Sequence, residues 1–350
     1  MARNSFKYDE QWGLVQAWHN DTKVKPELTL ENNYLTTWDI VPVELIENLK
    51  EITLPDGSIA YQGDKSGLSR LVCSDNHAIK IGQGYNPLTF SPINNAKFIE
   101  LVRQSISGTS HKIVSVGSVR NRGRVFLSIE LMGMETFKAA GRNFSAYLNF
   151  GNGHDKSSVL WVNTSNTAVV CDNTYSINLV SVENKASAEN EDDISIRQRH
   201  TKNADIKLPE IAKLVDKAIG VQGEFAIELD KLAEIEIVKT DAKALFAGFI
   251  GRNSVAEKLS TRATNTVDKL LELHVNGRGN NGRDLADAFN AVTDFYSHFS
   301  SGGKNINRQI VSSEYGSGLV AKQSFWNMVR NPVKRSEMIV RGDALLTATV

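Results

Sequence analysis

Cysteine is almost missing from this sequence: Cys73 and Cys171 are the only two in 350 residues. That is too few for a disulfide framework or a four-thiolate zinc site, and it points to a reducing compartment. Long apolar runs are missing as well, since no stretch approaches the ~18 consecutive apolar residues of a membrane span. The opening residues, "MARNSFKYDEQWGLVQAW", scatter polar side chains where a secretory leader needs an unbroken apolar segment. A soluble, cytoplasmic protein is expected, with no membrane partner. Net charge is absent too: forty Lys and Arg offset forty Asp and Glu, so any affinity for nucleic acid must come from local patches.

Enzyme signatures are equally scarce. The chain has no Gly-x-x-x-x-Gly-Lys-Ser/Thr loop, no Gly-x-Ser-x-Gly elbow and no His-Glu-x-x-His pair. Its seven histidines are dispersed, and none stands at zinc-ligand spacing from a cysteine. Neither a metal nor a cofactor is implied, and no catalytic residue is assigned. The nearest approach is "GSGLVAKQS", where Gly316 and Gly318 precede a helix pattern with Lys322 nearby. Without a strand and a Rossmann unit around it, this reads as a flexible start to a helix.

What is there is a globular composition, 41% hydrophobic, in a chain long enough for one large domain or two ordinary ones. Residues 1–57 form a lead-in in which "PVELIENLKEI" places Leu45, Ile46, Leu49 and Ile52 at helical spacing, so a short helix is predicted there. "LPDGS" is a turn. Residues 58–182 read mostly as strands with one inserted helix, whose cap is Asn94 and whose apolar face is Phe98, Leu101, Val102 and Ile106. In "KIVSVGSVRNRGRVFLSIELMG", two β-rich runs, Ile113 to Val119 and Val125 to Leu131, flank a Gly-containing turn and read as a hairpin. Further strands are expected at "SAYLNF", "SVLWVN" and "AVVCD".

Residues 183–193 are an acidic loop, and residues 194–330 are mostly helical, beginning with a long helix from about 204 to 234. "NGRGNNGRD" separates two later helices as a Gly- and Asn-rich loop. The tail, 331–350, is ambiguous. The fold class predicted is α+β: an antiparallel sheet with hairpins in the N-terminal and central region, followed by a mostly helical C-terminal region.

Positive charge concentrates in two places. In "VRNRGRV", Arg120, Arg122 and Arg124 sit at and around the hairpin tip, where a basic β-ribbon could follow a phosphate backbone. A solvated turn kept basic for solubility is the alternative. In "RQRHTKNADIK", Arg197, Arg199, His200 and Lys202 stand between a short strand around Ile194 and Ile196 and a helix start capped by Thr201 or Asn203. Cations beside unpaired helix N–H groups bind anions well. The same cations could instead pair with Glu189, Glu191, Asp192 and Asp193 just before them. Tyr147, Phe150 and Trp161 lie on predicted strands and are assigned to the core, not to a base-stacking platform.

"AVVCDNTYSINL", "RQRHTKNADIKL", "STRATNTVDKLLELHVNGRGNNGRDLADAFNAVTDF" and "EYGSGLVAKQSFWNMV" occur in the order seen in a bacterial, plasmid and phage family. The chain resembles that phage/plasmid-like family, domain of unknown function 932, best over residues 158–329. The resemblance marks Cys171, Asn173, Thr174, Arg197, Arg199, His200, Thr201, Asn203, Arg262 and Asn265 as family positions, and implies an accessory protein of a mobile element. Two functions are weighed. The first is a nucleic-acid-binding protein, with single-stranded DNA as partner, acting in annealing during recombination or replication as a homo-oligomer. The second is an oligomeric protein-interaction factor, such as a host-defence antagonist or a scaffold. A nucleotide-directed enzyme is a weaker third, resting only on Gly316, Gly318 and Lys322 and the polar cluster around His200.

Overall fold

The structure, a computed structural model, describes residues 15–16, 28–108, 110–131, 137–156, 158–168, 174–175, 196–198, 200, 224–252, 258–300, 312–313 and 316–348. Among these, antiparallel sheets occupy the N-terminal and central region and helices the C-terminal region, so the fold is α+β. One expectation is corrected at once. The predicted helix over Leu45 to Ile52 is instead strand β2 (Ile40–Thr53), paired along its length with β3 (Ile59–Cys73). The helical spacing arises from two register shifts, between Glu44 and Ile46 and between Glu47 and Lys50. Extra residues at such bulges turn a period of two into one of three or four. The predicted turn is present: Leu54 donates to the Ser58 carbonyl at 2.8 Å, and Gly57 sits at φ 83°.

β4 (Lys80–Tyr85) completes this three-stranded sheet in the order β2-β3-β4. The larger sheet contains β1 (Val15–Gln16), β5 (His111–Val119), β6 (Arg124–Leu131), β7 (Phe137–Ala139), β8 (Arg142–Gly153), β9 (Leu160–Ala168), β10 (Thr174–Tyr175) and β11 (Ile196–Gln198). Its path is β1-β5-β6-β8-β9-β10, with β11 also on β9 and β7 on β8.

The predicted inserted helix is α1 (Asn95–Ser105), with the Asn94 side chain accepting from the Lys97 N–H at 2.9 Å. It lays Phe98, Leu101, Val102 and Ile106 over Val116, Leu127, Leu148, Phe150 and Val162, forming the first core. Tyr147, Phe150 and Trp161 are buried, as expected of sheet aromatics. Gly151 stands opposite Trp161 in register, and the indole lies where a Cβ on residue 151 would project.

A second core joins Phe144 and Ala139 of the sheet to the helices: α2 (residues 224–233), α3 (Lys239–Ile250), α4 (Thr261–Asn276), α5 (Leu285–Asp294), α6 (Ser317–Val329) and α7 (Pro332–Thr347). α5 runs directly into a π-helical turn at Phe295–Phe299. The part of the expected long helix before residue 224 lies outside the described residues. The ambiguous tail is α7, started by Asn331 capping and Pro332 in the first turn. It crosses α3 closely because Gly342 faces the Ala244 carbonyl and Gly248 faces the Met338 carbonyl, with no Cβ in the way on either side. No helix among the described residues is long and apolar enough to cross a membrane.

The Gly- and Asn-rich loop 277–284 is also more than a spacer. Arg142, at the start of β8, inserts its guanidinium there, hydrogen-bonding Asp287 of α5, the Gly279 carbonyl (2.9 Å) and Asn280 Oδ1 (3.1 Å). Asp287 Oδ2 accepts from the N–H groups of Asn281 and Arg283, both at 3.1 Å. Asn280 and Asn290 tie the remaining carbonyls of Leu273 and Arg278. A buried ion pair with its other lone pairs satisfied thus fastens the sheet to the helices.

Candidate nucleic-acid interface

The β5–β6 hairpin turns through Arg120, Asn121 and Arg122, all in the left-handed region at φ 57°, 53° and 64°. Three such non-glycine residues in succession are costly alone. Neighbours hold them: Gly123 donates to the Arg120 carbonyl at 3.0 Å, and His154 and Asp155 both donate to the Gly123 carbonyl, at 2.7 and 3.2 Å.

The three hairpin arginines have different fates. Arg122 is turned inward, corrected from a projecting cation to a structural one. Its Nη1 donates to both oxygens of Asp75 (2.7 and 2.9 Å) and its Nε to the Tyr34 hydroxyl (3.0 Å). The guanidinium also lies 4.7 Å from the Trp38 ring centroid. Burial alone would lower its pKa, but hydrogen bonds to Asp75 and Cys73 outweigh this and hold the charge in place. Arg120 remains half exposed, with Nε 3.8 Å from Asp155, a separation at which a partly exposed pair contributes little. Arg124 opens β6 and is half-buried.

The second basic stretch arrives at the same end of the sheet. β11 runs antiparallel to β9, with Arg197 opposite Trp161 and Gln198 opposite Leu160, the first residue of β9. β9 in turn starts beside the end of β8, and the last residue of β8, Gly153, is opposite Arg124. The end of β11 and the hairpin tip therefore lie at the same end of one sheet. His200, just beyond β11, is buried, lies with its ring 5.5 Å from that of Phe90 at a tilt of 50°, and accepts from the Ser91 N–H through its carbonyl. Neither of its ring nitrogens has a hydrogen-bond partner among the described residues. Burial pushes its pKa down to about 4, and neighbouring His154 pushes the same way. His154, fully buried between Asn152 (3.1 Å) and the Arg122 carbonyl (3.3 Å), is likewise pushed down to about 4 by burial. His200 is thus a neutral packing residue in this setting, not a cation for phosphate.

Sequence reasoning missed Lys156. It sits in the β8–β9 loop at φ 64°, exposed, with Nζ 5.6 Å from the Tyr85 ring and 5.4 Å from the Phe90 ring. "GHDKS" carries turn chemistry but no signal that this lysine will stand beside the arginine hairpin. Asp75, Tyr34 and Trp38, which capture Arg122, come from segments 47 or more positions away.

Several expected positions lie elsewhere. Arg199, Thr201, Lys202, Asn203, Cys171, Asn173 and the acidic stretch 183–193 are outside the described residues. Thr174 is in β10, opposite Thr167. Arg262 and Asn265 are exposed on the first turns of α4, which packs with α3 and α5. Lys322 is not a phosphate ligand at a helix start. It is buried in α6, with Nζ 3.1 Å from Ser313 Oγ and 3.4 Å from Ser297 Oγ.

A family model described as a domain of unknown function matches residues 87–338, from the end of the three-stranded sheet into α7. No curated protein and no solved structure matches the chain. Because that match spans far more than half of the 350 residues, the chain belongs to the domain of unknown function 932 family.

Proposed function

We propose that this is a nucleic-acid-binding protein of a phage or plasmid, engaging single-stranded DNA during annealing, recombination or replication, and working as a homo-oligomer. The reading is supported by one observation above the others. Two basic stretches some 75 positions apart in sequence reach the same end of the eight-stranded sheet, one through Arg124 of β6 and the other through Arg197 of β11, and Lys156 follows Asp155, whose N–H donates to the Gly123 carbonyl of the hairpin. Arg120, Arg124 and Lys156 would neutralise phosphates, with Arg197 entering on β11. Half-buried Phe90 beside Lys156, with exposed Leu88 two positions before it in sequence, would offer an apolar surface for unpaired bases. Arg122 would act only by shaping the tip.

The test is the salt dependence of binding to a fluorescent oligothymidylate. Each phosphate contact removed should lower the slope of log K against log salt by about 0.7 for a single strand. Arg120→Ala and Lys156→Ala should each weaken binding and flatten that slope, leaving the melting temperature unchanged. No complex at low ionic strength, or unchanged slopes in both variants, would sink the proposal.

A further inference from the structure

Asn-Gly occurs three times in the sequence, at Asn152, Asn276 and Asn281. Asparagine is thermolabile, and most so before glycine, whose missing Cβ lets its N–H approach the side-chain amide. The reaction is internal. The glycine nitrogen bonds to the asparagine Cγ, the Cγ–Nδ2 bond breaks, and the amide nitrogen leaves as ammonia with the proton of that N–H, closing a five-membered succinimide. Water then adds to either ring carbonyl and opens the ring, giving aspartate or isoaspartate. The attacking N–H must be free and the side chain able to rotate, so the fold decides which motif reacts.

Two of the three are closed. Asn152 is 1% exposed within β8, with Nδ2 donating to the Ile93 carbonyl at 2.8 Å and lying 3.1 Å from His154 Nε2. Asn276 ends α4, and the Gly277 N–H is held by the Leu273 carbonyl at 2.8 Å. Asn281 differs on both counts. It is exposed, and among the described residues neither its side chain nor the Gly282 N–H has a hydrogen-bond partner. The fold also requires the glycine there: Gly282 sits at φ 73°, and a Cβ on it would lie 3.1 Å from Val275 Cα.

The same loop holds the Arg142–Asp287 pair. Asp287 Oδ2 accepts from the N–H groups of Asn281 and Arg283, so the reacting peptide unit lies between two N–H groups gripped by one oxygen. Isoaspartate lengthens the backbone between them by one carbon. Either product places a new carboxylate on the residue whose N–H Asp287 accepts, and like charge opposes the ionised form of both.

We infer that Asn281 is a site of spontaneous deamidation in the folded protein, with water as the only co-reactant, and that its conversion loosens the ion pair joining sheet to helices. The inference does not depend on nucleic-acid binding.

The test is peptide mass mapping of the full chain aged in warm, mildly alkaline buffer. Trypsin places the three motifs on separate peptides, Asn143–Lys156, Leu270–Arg278 and Gly279–Arg283. In the folded chain the last of these should acquire the mass shift of an amide turned carboxylate, assigned to Asn281 by fragmentation, while the other two stay unchanged. The same chain aged in urea should convert all three, because unfolding removes the hydrogen bonds that protect Asn152 and Gly277. Asn281→Gln, whose longer side chain must close a larger ring, should stay intact and keep its melting temperature on ageing. Aged wild type should melt lower as the converted fraction grows. An unchanged Asn281 in the aged folded chain, conversion of Asn276 at the same rate, or converted protein that melts like fresh protein would overturn the inference.

Discussion

Replacing Asp287 by Ala should destabilise the protein more than almost any surface change. The carboxylate is 1% exposed and accepts from the Arg142 guanidinium and from two loop N–H groups, those of Asn281 and Arg283. Removing it leaves Arg142, itself 6% exposed, as a buried cation without a counter-ion, a defect that costs about 3–5 kcal/mol. The Gly279 carbonyl and Asn280 continue to accept from Arg142, so the lower half of that range is expected. Urea unfolding followed by tryptophan fluorescence measures it, because Trp161 lies in the sheet and Trp326 in the helical core. Against a total of about 5–15 kcal/mol, such a loss is large. Arg142→Ala combined with Asp287→Ala should cost less than the sum of the single changes, since the uncompensated charge disappears with its partner. An Asp287→Ala cost below about 1 kcal/mol, or strict additivity in the double variant, would show that the pair is not what fastens sheet to helices.

Acid should unfold the protein through two histidines. His154 and His200 have folded pKa values near 4 against an ordinary 6.5, so the unfolded chain protonates first as pH falls. Their contribution is whole above about pH 6.5 and is lost between there and about pH 4, to at most about 3 kcal/mol each. Stability measured against pH should show this decline, and His200→Leu should remove its share of it. Gly342→Val should separate α7 from α3, because a side chain there collides with the Ala244 carbonyl; a melting temperature unchanged in this variant would contradict the close crossing. Arg122→Ala should lower thermal stability, since it leaves Asp75 without the guanidinium and takes one of two hydrogen bonds from the Tyr34 hydroxyl, whereas Arg120→Ala should leave melting alone and, on the proposed function, lower oligonucleotide affinity.

Much of the fold was legible because it rests on local rules. The Asn94 cap with its apolar face, the "PDG" turn and the arginine hairpin all depend on residues within a few positions of one another. The β2 segment was misread for an equally physical reason: bulges are set by the partner strand, and a period taken from one strand cannot include them. The helix in the tail was obscured because glycine at 342 argues against a helix on propensity. Its reason, a neighbouring backbone passing at that point, lies in another segment.

By itself the sequence determined the fold class, the family, the inserted helix and the arginine hairpin, and the location of positive charge along the chain. Only the tertiary structure decided which of those charges remain available. Arg122 is consumed by Asp75 and two aromatic rings, His200 is held neutral by burial, Lys322 is enclosed among serines, and Lys156 is brought to the hairpin tip. Charge is a property of a residue, but its availability depends on desolvation and on partners that the chain delivers from far away in sequence.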